Sequence, residues 1–117
     1  MKRKTVREIL TYCRWIEDAI RDYLRLTDET GDGQYAIFAA QLRAVKLDVI
    51  SAMNALKQAE RNALYYHYIR GQTWVWTANK CNYSERQIRN IANKGIDRLA
   101  KAFRENETLS DFAARYF

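Results

Sequence analysis

From Ser84 to Lys101 the chain reads SERQIRNIANKGIDRLAK, and this stretch carries the side chains best suited to reading another molecule. Arg86, Arg89, Asn90, Asn93 and Asp97 recur at steps of three and four. On a helix they share one face, opposite Ile88, Ile91, Ala92, Gly95 and Leu99. A guanidinium can pair with guanine through two parallel hydrogen bonds, and a carboxamide can do the same with adenine. Arginines and asparagines at the start of an exposed helix therefore have the chemistry of base recognition in a DNA major groove. An amphipathic helix with a solvated basic face is the alternative reading.

Such side chains need a positioned helix. Ser84 is a good N-cap, and Gln87 three residues on completes a capping-box pattern. The segment before it, TWVWTANKC, places Trp74, Thr77, Ala78 and Cys81 on one inward stripe, with small Ala78 where two crossing helices approach. Cys81-Asn82-Tyr83 forms the expected turn, giving two helices joined tightly between Thr73 and Phe103. Gln58 to Arg70 reads as the helix leading in, with Leu64 and Tyr68 inward and Gly71 as its C-cap.

The run Ser84-Glu85-Arg86-Gln87-Ile88-Arg89-Asn90-Ile91, followed by Lys94 and Leu99, resembles the recognition helix in the fourth region of bacterial sigma factors, which reads the promoter's upstream hexamer. Leu56, Glu60, Arg61, Leu64, Tyr68, Gly71, Thr73 and Ala78 resemble the helices that precede it, so the likeness covers about half the chain, from Leu56 to Phe103. Nothing upstream resembles the sigma region that melts the promoter. A small basic chain with this portion alone is similar to phage and prophage late-gene regulators of the ArpU and RinA type, which are transcriptional activators. The resemblance implies base-contacting roles for Glu85, Arg86, Arg89 and Asn90. Where Glu85 stands, sigma factors commonly carry a basic residue, and where Arg86 stands an acidic one, which implies a different hexamer. Trp76 replaces what is usually an acidic or polar residue. On a helical wheel it points away from Trp74, toward another domain, a partner or the chain's own N-terminal helices.

The composition agrees with a helical, DNA-facing protein. The 117 residues include no proline and only four glycines, and the formal net charge is +6. Between Glu60 and Glu105 nine Lys or Arg stand against four Asp or Glu, so the positive charge is concentrated on the segment expected to meet phosphates. No apolar run reaches membrane-span length and the start, MKRKTVREIL, lacks the apolar core of a signal peptide, so a cytoplasmic location is expected. Cys13 and Cys81 lie on apolar stripes without metal-ligand spacing, and read as reduced packing residues. The one histidine, His67, sits in the run Tyr65-Tyr66-His67-Tyr68 and reads as structural.

Upstream, Thr5 to Leu26 reads as one long helix with Val6, Ile9, Leu10, Cys13, Ile16, Ile20, Tyr23 and Leu24 on its stripe. Thr27 to Gln34 is the clear break; its fragment Asp28 to Gly33 fails as a calcium loop because Ala36, Phe38 and Ala39 occupy later ligand positions. From Tyr35 to about Leu56 the helical period returns with Phe38, Leu42, Val45, Val49 and Met53. The two segments predict an antiparallel hairpin that packs on the rest of the chain or pairs with a second chain. At the end, Leu109, Phe112, Ala113 and Phe117 predict a short docked helix. The expected architecture is all-α: residues 1–55 a long helical hairpin for packing or dimerisation, residues 56–105 a sigma region 4-like helix-turn-helix DNA-binding domain, and residues 106–117 a tail.

These features favour a sequence-specific DNA-binding transcriptional regulator acting on double-stranded DNA. Arg86, Arg89 and Asn90, with Glu85 and Asn93 beside them, would read bases. Gln87, Lys94, Arg98 and Lys101 would meet phosphates, and Tyr83 beside the turn is a further candidate contact. Lys2-Arg3-Lys4 is a weaker basic candidate. A small terminase-like packaging protein and a module that binds RNA polymerase or a sigma factor without DNA contact are the alternatives, and a homodimer suits a two-fold site. No Ser/His/Asp or Cys/His constellation and no glycine-rich phosphate loop is present, so no catalytic role, cofactor or metal is expected.

Overall fold

The computed structural model describes all 117 residues and is all-helical. Helices α1 (Arg3–Tyr12), α2 (Ile16–Thr30) and α3 (Gln34–Asn54) are followed by α4 (Gln58–Leu64), which runs into a π-helical turn over Tyr65–Ile69. Then come α5 (Trp74–Cys81), α6 (Glu85–Glu105) and α7 (Glu107–Tyr116). No helix is long and apolar enough to cross a membrane.

The long first helix expected from the apolar stripe is two helices. At Arg14 and Trp15 the amides bond three residues back, to Thr11 and Tyr12, which tightens the chain and ends α1. The stripe continues through the break without a change of spacing, but its two halves have different partners. Val6, Ile9 and Leu10 are fully buried where α1 meets α6 and the π turn, whereas Ile16 and Ile20 face α3. The break after α2 is also shorter than expected. The helix runs on to Thr30, and Thr27 and Thr30 donate their hydroxyls back to the carbonyls of Tyr23 and Leu26 within it. Gly31 then ends it in the left-handed conformation at φ 71°.

The antiparallel hairpin is thus α2 against α3. Tyr23 lies against Tyr35 and Phe38 near its tip, with ring centroids 6.2 and 5.5 Å apart. The remaining helices gather around α6, whose Ile88, Ala92, Ile96, Leu99 and Phe103 are at most 1% exposed. At Gly95 a Cβ would come within 2.9 Å of Leu64 Cδ1 and 3.3 Å of Glu60 Cβ, so glycine is what lets α4 lie this close. The tail docks as expected: Leu109, Phe112 and Ala113 of α7 are buried against α3 and α6, although Phe117 is left half exposed. The radius of gyration, 15.5 Å, exceeds the roughly 13.4 Å of a compact domain this long. The excess reflects a molecule 52 Å in its longest dimension and 21 Å in its shortest.

Candidate nucleic-acid interface

Two short-range motifs set the geometry between α5 and α6. Thr73 caps α5, its Oγ1 accepting from the Trp76 amide at 3.1 Å. Asn82 ends α5 in the left-handed region at φ 62°, while the Tyr83 amide donates to Ala78 and the Asn82 amide to Asn79, the paired bonds of a Schellman turn. Ser84 then starts α6 with a complete capping box. The Gln87 amide donates to Ser84 Oγ at 3.1 Å, and the Ser84 amide to Gln87 Oε1 at 2.9 Å. Three residues therefore connect the helices, and each has a geometric task. Thr77 and Ala78 are buried, completing the contact of α5 with α6.

Trp74 secures the front of this unit. His67 stacks on it with a centroid separation of 3.6 Å, and the Arg89 guanidinium carbon lies 5.5 Å from its ring centroid. His67 Nδ1–H donates to the Gln72 carbonyl at 2.7 Å, so a neutral ring carries its proton on Nδ1. Burial holds the His67 pKa below the ordinary value, and nearby Arg89 and Arg14 add to the effect against the opposing hydrogen bond. Behind it Arg14 donates to the Tyr68 carbonyl at 2.7 Å and lies against Gly71, where a Cβ would be 2.9 Å from Arg14 Cζ. Arg14 thereby links the π turn to the glycine that follows it, on the approach to α5.

The residues expected to recognise DNA fall into two sets. Arg86, Asn90, Lys94 and Lys101 are exposed and make no hydrogen bond or ion pair within the chain; the side chain of Tyr83, also exposed, is likewise unpaired. Glu85 and Arg89 are exposed but pair with each other at 2.7 Å. Gln87 serves the cap through its oxygen. The other set braces α6: half-buried Asn93 accepts from Arg7 at 3.1 Å, and Arg98 lies 3.3 Å from the carboxylate of Glu60, which is only 3% exposed. Asp97 on the expected polar face makes a two-pronged pair with Arg3, both bonds 2.7 Å, and this holds its carboxyl below the usual range.

Arg3 and Arg7 were the residues sequence reasoning did not connect to α6. Their spacing of four places them on one face of α1, the available signal, but only the docking of α1 reveals what that face meets. The N-terminal basic cluster is accordingly beside α6, with Arg3 already neutralised by Asp97. Trp76 is 40% exposed and meets Tyr66 of the π turn edge-on at 5.4 Å. Cys13 and Cys81 are free thiols, and burial pushes Cys13 up to about 11, which keeps it protonated. No three His, Cys, Asp or Glu side chains converge as a metal-binding group.

The chain matches no family model, no curated protein and no solved structure.

Proposed function

We propose that this protein is a sequence-specific DNA-binding transcriptional regulator of the phage or prophage activator type, with a sigma region 4-like helix-turn-helix formed by α5 and α6. One observation carries the reading: Arg86 and Asn90 project unpaired from the first turns of a helix whose start is fixed by the Asn82 turn and the Ser84 capping box. The protein has its base-reading chemistry on a rigid support, which makes direct readout geometrically economical. Arg89 joins Arg86 and Asn90 after exchanging Glu85 for a base; Glu85 sets which base is accepted. Lys94 and Lys101 meet phosphates, while Asn93 and Arg98 hold the helix in place. The basic surplus around α6 supplies the attraction to the DNA backbone.

Selection of bound duplexes from a random library tests this reading, followed by binding of the winner at several salt concentrations. An enriched motif is expected. Arg86→Ala or Asn90→Ala should lose about 1–3 kcal/mol on the motif and relax one position, whereas Lys94→Ala should weaken all duplexes alike. Equal losses on selected and random DNA for all three would overturn the assignment. The exposed pair Val75 and Trp76 on the outer side of α5 favours one other reading, a module that docks on RNA polymerase or a sigma factor. Its signature is polymerase co-purification that Trp76→Ala abolishes, with no motif enriched.

A further inference from the structure

Helix α3 is uncharged on two opposite sides. Ala39, Leu42, Val45, Val49 and Met53 are buried within the chain. On the far side Ile37, Ala40, Ala44, Leu47, Ser51 and Asn54 form a second stripe in alternating steps of three and four, and all six are exposed, Ile37 by 58% and Leu47 by 64%. A surface helix ordinarily turns charge to water on this side. Here the stripe contains none.

The first charges appear at its edges, Arg43 on one and Asp48 on the other, five residues apart. With Ile37, Ala44 and Ser51 at the first core position of a heptad and Ala40, Leu47 and Asn54 at the second, Arg43 and Asp48 occupy the two flanking positions that meet across a parallel coiled coil. Arg43 makes no ion pair or hydrogen bond in its own chain, and Asp48 receives only one, from Asn106 at 3.2 Å. In the next heptad the corresponding edge pair is Ile50 with Ala55, and Ile50 is 44% exposed. An antiparallel pairing would set Arg43 edge to Arg43 edge and Asp48 edge to Asp48 edge.

We infer that the protein is a homodimer whose two copies pair in parallel along the outer stripe of α3, with Arg43 of each copy bridging to Asp48 of the other. The alanines let the helices approach closely; Ile37 and Leu47, at the positions where isoleucine and leucine favour two strands, fill the seam, which is about 27 Å long. Because α4 starts four residues after α3 ends, both C-terminal units leave the seam at the same end, related by an axis parallel to it. The pairing itself does not depend on the DNA reading and is measured without DNA.

Sedimentation of the full chain should give twice 13.8 kDa. Leu47→Glu, a change at an exposed position, should give a monomer with unchanged helical circular dichroism. Arg43→Asp and Asp48→Arg should each weaken self-association at least tenfold, and an equimolar mixture of the two variants should restore it, since every edge contact is then between opposite charges. Ser51→Cys should oxidise to a covalent dimer under conditions that leave the native cysteines unlinked. A monomer at all concentrations, a ring of higher mass, or a dimer indifferent to Leu47→Glu would overturn the interface. Failure of the mixture or of the Ser51→Cys link would overturn its parallel register.

Discussion

The α2–α3 hairpin and the unit formed by α1 with α4–α7 are made of similar helices held by different means. In the hairpin the contact is a simple seam of apolar side chains and tyrosine rings, and its one cross-helix ion pair, Glu17 with Lys46, lies at the surface. In the C-terminal unit the apolar core is supplemented by parts with a single acceptable geometry: Gly95 at a close approach, Asn82 and Gly71 at positive φ, Glu60 buried beside Arg98, Arg14 on a free carbonyl. The difference separates what only has to associate from what has to hold side chains in a fixed direction. A seam tolerates exchange of one apolar residue for another; a positioned helix does not.

The largest expected break in this contrast lies in the apolar core that runs through both regions. Phe103→Ala removes a fully buried ring and should cost about 3–5 kcal/mol in urea unfolding, whereas half-buried Phe38→Ala in the hairpin should cost about half as much. Similar losses would mean the two regions are held equally firmly. A finer comparison uses two glycines at nearly the same positive φ, Gly31 at 71° and Gly71 at 74°. Gly31→Ala meets open space and should cost about 1–2 kcal/mol from conformation alone, while Gly71→Ala must also displace Arg14 and should cost more. In an Arg14→Ala background that excess should vanish.

The smallest effect is a pH dependence. The folded state depresses the His67 pKa, so its contribution to stability is complete above the unfolded value near 6.5 and is lost as pH falls below it, until the ring protonates in the folded protein as well. His67→Gln should flatten stability across that window. Glu17 in the hairpin is depressed by its bond to Lys46, so its contribution is lost only as pH falls below the ordinary carboxylate value of 4.5. A decline just below pH 6.5 that survives His67→Gln would assign the titration to another group.

What was legible in the sequence was local. Ser84 and Gln87 name a helix start because the bonds they make are three residues long, and a tight turn before it follows once that start is fixed, although Cys81, expected in the turn, is the last residue of α5 and the turn is 82–84. The period of α3 and the packed face of α6 were equally readable. The break at Cys13–Trp15 was not, because Val6 to Leu24 keep one spacing while their partners change from α6 to α3. The π turn at Tyr65–Ile69 was hidden for a related reason: it adds a residue to a helical pattern without interrupting it. In the candidate site, Arg86 and Asn90 stand exposed as the wheel placed them, yet the wheel could not say that Asn93 and Arg98 on the same helix would be engaged by Arg7 and Glu60. Those partners lie 86 and 38 positions away, beyond the reach of any periodicity.

Trp74 gives the molecule an optical consequence. Its indole is covered on one side by an imidazole and approached by the guanidinium of Arg89, so its emission depends on two events that are otherwise hard to see. With Trp15 and Trp76 replaced by phenylalanine, the remaining fluorophore would register the charging of His67 as quenching. It would also register any ligand that draws Arg89 off its ring, so that occupancy at the front of α6 could be followed in solution without a label.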